Sequence, residues 1–354
     1  MADQSLAEQI KSDIQRMQSS LSDLQSSARL ADIRDRVEDL SVTVRGLDQR
    51  VASLRERGYA FEKDLESQAV DFARDWARVE PGIKSKINSE AQKLESALRP
   101  LESQLTQLVG DRSPANVLQP RVSRLKAQVE NLESRVEGAQ GSIRGEYDQF
   151  QSSVSQLESH LSKLEWTLTE ISEADFELLA TESPIMAVKA VWAKGGKQTK
   201  EDPEGVLFLT DQRILFEQKE KVATKKVLFI ATEKELVQEL KWQIPVVLVE
   251  DTKASKVGFL NKDNYLELRL AAGAPFDVIH LHIWQRGDDW VSLIQRARAG
   301  DFDASRAIPI DEEVLEKVRS APTKCPSCGG ALKQVILRGM DSITCEYCGD
   351  VIRW

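Results

Sequence analysis

The chain has 354 residues, 30% of them charged and 6% aromatic, and a formal net charge of −9. That length exceeds one ordinary domain, so several modules are expected, and the acidic balance argues against a polybasic nucleic-acid arm. The first residues show no basic segment followed by an apolar one, and the longest aliphatic run, residues 244–249, is too short to cross a bilayer. Secretion and membrane insertion are therefore disfavoured.

The common catalytic signatures are missing from the sequence. It contains no P-loop, no G-x-G-x-x-G phosphate turn and no G-x-S-x-G elbow. His160 lies in a heptad pattern, whereas His280 and His282 alternate in an apolar strand pattern that puts both on one face. A structural role for that pair is favoured over a ligand role. The sequence thus predicts no catalytic residue and a protein that is not an enzyme.

Apolar residues recur at alternating steps of three and four through residues 1–173, the spacing typical of a coiled coil. The longest of these seams runs from Val122 to Ile171 and predicts a helical rod of roughly 75 Å. Gly138, Gly141 and Gly145 lie within it, so bending or fraying is expected there.

Helix-breaking proline and glycine residues in this region predict where its helices end and how they connect. Residues 110–114 predict the end of one helix, and Pro120 suits the first turn of the next. The two helices are expected to form an antiparallel hairpin, with residues 1–80 completing a three-helix bundle or pairing with a second chain. Pro81 and Gly82 mark either a kink or a full turn. Because the seam is narrow, self-association through the coiled coil is expected.

Near Pro184 the periodicity changes from heptads to short strand-like runs, which indicates a domain boundary. Asp288 and Asp289 then begin a helix after Gly287 whose apolar face includes Trp290 and Ile294. Many short strands followed by one amphipathic helix predict a small β-barrel capped by that helix. The runs are 186–193, 205–210, 213–217, 226–230, 244–249, 256–260, 265–270 and 277–283.

The run EGVLFLTDQRILFE at residues 204–217, a later IP-x-x-x-V segment and a terminal W-x-x-x-I helix resemble the bacterial pleckstrin-homology-like (PH-like) and GRAM-like domains. The resemblance covers residues 184–300, with 232–241 read as a helical insertion. It implies a domain that binds lipid headgroups, peptides or other domains, or that serves only as a scaffold.

A basic loop is the feature of this domain that bears on a ligand. In lipid-binding members the loop between the first two strands is basic, and here it carries Lys194, Lys197 and Lys200, with Arg213 placed on the third strand. This set is a candidate anion site. Neighbouring acids, including Glu201 and Asp202, offset its field, so a solvated hairpin end is favoured over lipid binding.

The C-terminus carries the strongest motif. Cys325 and Cys328 form one C-x-x-C unit and Cys345 and Cys348 a second, with sixteen residues between Cys328 and Cys345. Four thiolates at this spacing suit tetrahedral Zn²⁺, and Gly329 and Gly349 permit the positive φ that each turn requires.

The sequence therefore predicts a zinc ribbon with one structural Zn²⁺, in which residues 332–337 and 342–344 pair as strands. A closed four-cysteine site leaves no position for substrate. A redox role for the C-x-x-C units is the minor alternative. Cysteines that bind a metal rather than form disulfides favour a reducing compartment, here a cytoplasm, and the resemblance to bacterial domains implies a bacterial one. Nucleic-acid binding through the ribbon is disfavoured, because nearby acidic residues offset the positive charge of its basic residues. These are Lys324, Lys333, Arg338 and Arg353.

The sequence predicts a multidomain chain with a coiled-coil rod at 1–173, a PH-like domain at 184–300, a linker with a short helix at 301–323 and a zinc ribbon at 324–354. Together these modules predict a cytoplasmic scaffold or adaptor that binds protein partners. Two alternatives remain open: a peripheral membrane sensor acting through residues 194–200, and a nucleic-acid-associated regulator acting through the ribbon.

Overall fold

A computed structural model describes residues 2–227, 230–257 and 263–354, with side chains for all of these except 2–5 and 222–234. The chain divides into two compact units. The first comprises residues 1–48 and 67–158, and the second comprises 49–66 and 159–354. The first unit is helical, whereas the second holds the sheet and the cysteines.

Five long helices occupy the N-terminal half: α1 (Ala2–Ser27), α2 (Ala31–Glu56), α3 (Leu65–Gly110), α4 (Ala115–Arg144) and α5 (Asp148–Ser172). A short link separates α1 from α2, and there Leu30 has a φ of 53°. The region is therefore helical, as its apolar spacing predicts.

Several prolines and glycines that are expected to end or begin helices do not do so at the predicted positions. Helix α3 continues through both Pro81 and Pro100, so Pro81 and Gly82 do not make a turn. Helix α4 begins at Ala115, which places Pro120 beyond the first turn and corrects the predicted start. The rod predicted from 122 to 171 is not one helix, because α4 ends at Arg144 and α5 begins at Asp148. Gly145 lies at this break, and its weak helix propensity is expected to interrupt the helix there.

In the first unit, helices α2 and α3 pack with opposite directions. Arg34 of α2 donates to Asn88 of α3, whereas Ser41, later in α2, donates to Glu80, which comes earlier in α3. Lys86 of α3 bonds Ser142 of α4 at 2.9 Å. The seam side chains, from Met17 in α1 to Leu132 in α4, are buried by these helices. The seam is thus covered within a single chain.

The second unit contains one antiparallel seven-stranded sheet with the strand order β4-β3-β2-β1-β7-β6-β5. Within the described ranges β4 and β5 pair with one neighbour each, so the sheet has two edges and the predicted closed barrel is not seen. The strands are β1 (Pro184–Trp192), β2 (Glu204–Thr210), β3 (Arg213–Val227), β4 (Ile230–Pro245), β5 (Val249–Val257), β6 (Asp263–Leu270) and β7 (Val278–Ile283).

The hairpin of β3 and β4 corrects the helical insertion predicted at 232–241. That segment is part of β4 and pairs with β3, for example at Leu236 opposite Lys221. Its Leu and Val spacing fits a helix locally, but ladder pairing with a neighbouring strand overrides local propensity.

One apolar run predicted as a strand also differs in the structure, and two others fall partly outside the described residues. The run at 244–249 is the end of β4, a short 3₁₀ helix (Val246–Leu248) and the start of β5. Positions 228–229 of the run 226–230 and positions 258–260 of the run 256–260 lie outside the described residues.

Helices pack on both sides of the sheet. Helix α6 (Gly287–Ala299) follows β7 and buries Trp290 and Ile294, as its apolar face predicts. On the other face, Trp166 of α5 and Phe176 pack against a cluster around Phe208. Two shorter helices follow, α7 (Asp301–Ala304) and α8 (Glu312–Ser320). The C-terminal segment then forms a two-stranded hairpin, β8 (Ser342–Thr344) and β9 (Val351–Arg353).

Candidate metal centre

Two equivalent turns present the four cysteines. In the first, the N–H of Gly329 donates to the carbonyl of Cys325, and in the second Gly349 donates to Cys345. Gly329 and Gly349 have φ values of 77° and 76°, the left-handed conformation expected of these glycines. Each turn therefore folds back after its second cysteine and directs both thiols to one side.

The four sulfur atoms lie within 4.8 Å of one another. The Sγ atoms of Cys325 and Cys348 are 3.6 Å apart, and those of Cys328 and Cys345 are 3.7 Å apart. Tetrahedral zinc with Zn–S distances of about 2.3 Å requires sulfurs about 3.8 Å apart. These separations are too long for a disulfide, whose sulfurs lie about 2.05 Å apart. The geometry fits a four-coordinate metal site.

The electrostatics of the cluster favour a cation. Backbone N–H groups of Cys328 and Ser327 favour the thiolate of Cys325 and lower its pKa to about 7. At Cys348 the N–H of Asp350 also favours the thiolate, but contacts with the other thiols outweigh it and raise the pKa to about 12. Thiolates this close repel one another, so the set can ionise together only with a cation among them.

The predicted pairing of 332–337 with 342–344 is wrong. Strand β8 pairs with β9 instead, because the tight turn after Cys345 returns the chain directly alongside itself. The first turn is closed by a single bridge between Lys324 and Ala331. Ile343 and Ile352 are buried with Cys325 and Cys345, and this small core is covered by Leu332, Ile336, Met340 and Trp354.

The candidate anion set is not brought together. Pro184 pairs with Thr210 at one end of the β1–β2 ladder, and Val191 pairs with Glu204 at the other. The loop carrying Lys194, Lys197 and Lys200 joins the latter end, whereas Arg213 follows the former. At about 3.3 Å per residue the two lie on the order of 20 Å apart.

Arg213 is instead held in a buried ion pair. Its Nε and one terminal nitrogen donate to both oxygens of Glu182, at 2.9 and 2.5 Å. The same guanidinium also donates to Gln243 and to the carbonyl of Glu177. With 8% and 0% exposed side chains, the pair is closed to an incoming anion.

The loop itself binds one of its own acids. The N–H groups of Lys194 and Thr199 donate to the carboxylate of Asp202, at 3.3 and 2.7 Å. The Lys194 ammonium lies 4.8 Å from the centre of the Trp192 ring. An anion at this loop would compete with Asp202 for the amides, which reduces the value of the three exposed lysines as a phosphate site.

The histidine pair has structural partners. His282 stacks on Tyr265 and contacts the amide oxygen of Gln198 through Nδ1 at 2.5 Å, while His280 lies 3.8 Å from Glu267. Burial lowers the pKa of His282. These contacts agree with the structural role predicted for both residues.

Sequence reasoning missed a second buried cluster, centred on Asp211 in the turn between β2 and β3. Its Oδ2 accepts from Arg306 and from Arg338, and its Oδ1 accepts from the N–H of Ser183. The signal available in the sequence was the polar pair Asp211-Gln212 between two apolar strands. The same pair is equally typical of an ordinary exposed turn, so it does not indicate a buried cluster. Only the fold brings two arginines from distant positions to it.

Comparison with known proteins adds little. No protein-family model matches the chain, and no curated protein is similar to it in sequence. A pleckstrin homology domain from Shewanella amazonensis SB2B is 17% identical over 35% of this chain and 89% of that chain, with a TM-score of 0.20. Human RhoA in complex with the DH/PH fragment of PDZRHOGEF gives 14% identity over 75% and 69%, with a TM-score of 0.26. TM-scores this low carry no argument about fold or function.

Within the described part of the chain, no helix is both long and apolar enough to span a bilayer.

Proposed function

We propose that the chain is a non-enzymatic adaptor of the bacterial cytoplasm, in which a PH-like domain binds protein partners and the four cysteines hold one structural Zn²⁺. The observation that carries this proposal is the closed cysteine site. Four thiols within 4.8 Å fill all positions of a tetrahedral ion, so no position is left for water or substrate. Such a metal stabilises its ribbon and does no chemistry.

Protein binding by the sheet is supported by the long β3–β4 hairpin. Strand β2 pairs with β3 only over residues 214–218, while β3 and β4 continue together well beyond that segment. In the described region β4 has no partner on its outer side, and Leu236 on it is 55% exposed. An unpaired strand edge with an exposed apolar side chain suits an added strand from a partner.

The zinc content of the purified protein tests the four-cysteine site. Purified full-length protein should contain about one zinc per chain, because one four-cysteine site accounts for every cysteine. Cys345→Ser should release the metal and unfold residues 324–354 while the helical circular dichroism signal is retained. A folded ribbon that is free of metal in both proteins would refute the site.

The strand edge is tested by a single substitution. Leu236→Asp should abolish binding of a partner that wild-type protein binds, whereas Val278→Asp, at a 38% exposed site on β7, should leave it intact. Equal binding by both variants would exclude the β4 edge as the partner surface.

A further inference from the structure

The ribbon is joined to the sheet by a short turn at residues 337–340, which we call the clamp turn. At its inner end Met340 packs on the core formed by Cys325, Ile343 and Cys345. The N–H of Leu337 also contacts the Met340 sulfur at 3.2 Å. The position of the clamp turn is therefore set directly by the core that the metal would hold.

The outer end of the clamp turn is bound to the turn between β2 and β3. The Arg338 N–H donates to the side-chain oxygen of Gln212 at 2.5 Å, and the Gln212 amide donates back to the Arg338 carbonyl at 3.1 Å. The Arg338 guanidinium donates to Asp211. These side chains are 13% exposed for Arg338 and 4% for Asp211, so the ion pair is largely shielded from water.

The clamp turn also touches the segment that joins α5 to β1. Gly339 has a φ of 83°, and a Cβ atom built there would lie 2.3 Å from the carbonyl oxygen of Ala180. Asp211 fixes the same segment, because its backbone and side chain exchange hydrogen bonds with Ser183. The ribbon thus meets the sheet and the connector 173–183 at one place.

We infer that the ribbon is a metal-dependent clamp on this connector: loading of the four cysteines holds the clamp turn against Asp211, Gln212 and Ala180, and metal loss frees the connector between α5 and the sheet. The inference rests on the proposed metal site and adds a role for it. Without the metal nothing bridges the four sulfur atoms, so the small core of the ribbon is lost and Met340 no longer fixes the position of Arg338. Asp211 then keeps only Arg306 as its cation.

The loss should reach the connector because Asp211 holds both partners at once. A buried carboxylate that loses one of two cations is less stable in its site, and its hydrogen bonds to Ser183 open more often. Local opening of this kind is measured as faster exchange of backbone amide hydrogens. The metal state of the ribbon would therefore set the mobility of the joint between a long helix and the sheet.

Hydrogen exchange on the full chain tests the inference, with the zinc-loaded protein compared before and after treatment with a zinc chelator. Chelation should accelerate exchange of the Ser183 and Asp211 amides about tenfold or more, which corresponds to about 1.4 kcal/mol. Arg338→Gln should do the same with zinc still bound, whereas Arg353→Gln, exposed on β9, should not.

A second pair of variants tests the steric contact. Gly339→Ala should accelerate the same amides, because its methyl group meets Ala180. Gly273→Ala has the same left-handed backbone cost, with a φ of 97°, but nothing within 4 Å, so it should not.

The outcomes separate the inference from the proposed function. A chain that binds no zinc refutes both the metal site and the metal dependence of the clamp. A chain that binds one zinc, but whose Ser183 and Asp211 amides exchange at the same rate after chelation, refutes only the clamp. Unchanged exchange in zinc-loaded Arg338→Gln also refutes it.

Discussion

At the scale of single residues, two carboxylates, the buried Glu182 and the 32% exposed Glu62, show how charged groups are held in this protein. Glu182 accepts from Arg213, from the Thr210 hydroxyl and from the N–H of Leu179. Glu62 lies in the link between α2 and α3 and accepts from the Tyr59 hydroxyl at 2.9 Å, and it contacts His160 at 2.7 Å. Each charge is compensated from several directions, as a buried ion requires.

Removal of the Arg213 cation should be costly. Arg213→Met is expected to lower the free energy of unfolding of the sheet by about 3–5 kcal/mol, since it leaves Glu182 buried and unpaired. Arg269→Met, at a 52% exposed arginine on β6, is the matched control and should change stability little. Urea unfolding followed by tryptophan fluorescence measures both. Equal losses would contradict the buried-pair argument, and adding Glu182→Gln to Arg213→Met should recover part of the loss.

Glu62 should make stability depend on acid pH. Burial alone would raise its pKa, but the contacts with His160 and Tyr59 outweigh burial and hold the pKa below its usual range. Because the folded pKa is the lower one, the stabilisation is present above the unfolded value of about 4.3 and is lost as pH falls through the folded pKa.

Glu62→Gln should therefore destabilise the protein by about 1.5–3 kcal/mol near pH 7, and the difference from wild type should shrink below about pH 4.3. Unfolding midpoints measured from pH 7 to pH 3 give the comparison, with Glu56→Gln at an exposed position of α2 as the control. A difference that is constant over this range would show that the loss does not arise from ionisation.

At the scale of elements, α3 carries a proline in its interior without ending there. Pro81 lacks the N–H that an interior helical residue donates and crowds the preceding turn. It is exposed, as is Gly82. The buried Trp76 and Ile83 on either side show that packing of the apolar face holds the helix together across this site.

Pro81→Ala should consequently raise the free energy of unfolding by up to about 3 kcal/mol. Ser85→Ala, at an exposed position in the same helix, should give only a few tenths of that gain. Thermal unfolding followed at 222 nm by circular dichroism (a helix signal) compares the two. A loss of stability in Pro81→Ala would mean that the backbone geometry set by the proline is needed for packing.

The loop at 194–200 is the element that would carry membrane binding. Each lysine near an anionic surface contributes about 1 kcal/mol, and Asp202, which accepts hydrogen bonds from the loop, reduces the total. We expect little binding of the full chain to phosphatidylserine vesicles at physiological salt. Co-sedimentation measures it. Tight binding that is lost when Lys194, Lys197 and Lys200 become alanine, but kept when Lys93, Lys253 and Lys317 do, would establish the membrane-sensor alternative.

At the scale of the whole molecule, the sequence predicts self-association because one helix cannot cover its own seam. In the structure the seam is covered within the chain, and the large apolar residues exposed on the described helices of the first unit are separate valines: Val42, Val70, Val79, Val109 and Val117. Scattered residues of this kind do not form an association surface.

We therefore expect the full chain to be a monomer. Light scattering after size exclusion should give a mass near 39.7 kDa. A mass of twice that value, independent of dilution, would show that a second copy pairs with the chain and would support the self-association predicted from the heptads.

The sequence by itself determined the features that depend on local spacing. Heptad steps indicated helices, alternating apolar runs indicated most strands, and two C-x-x-C units with following glycines indicated the cysteine cluster. Each signal lies within a few residues, where the period of a helix or strand and the geometry of a tight turn decide the outcome.

Tertiary structure decided the features that depend on distant partners. Pairing with β3 made residues 232–241 a strand, and pairing with Glu182 removed Arg213 from the candidate anion site. The Asp211 cluster joins residues more than ninety positions apart in the chain, since its partners include Arg306 at a separation of 95 and Arg338 at 127. Local patterns carry no information about such contacts, because the buried surroundings that strengthen them, and the partners that offset the loss of water, come together only when the chain has folded.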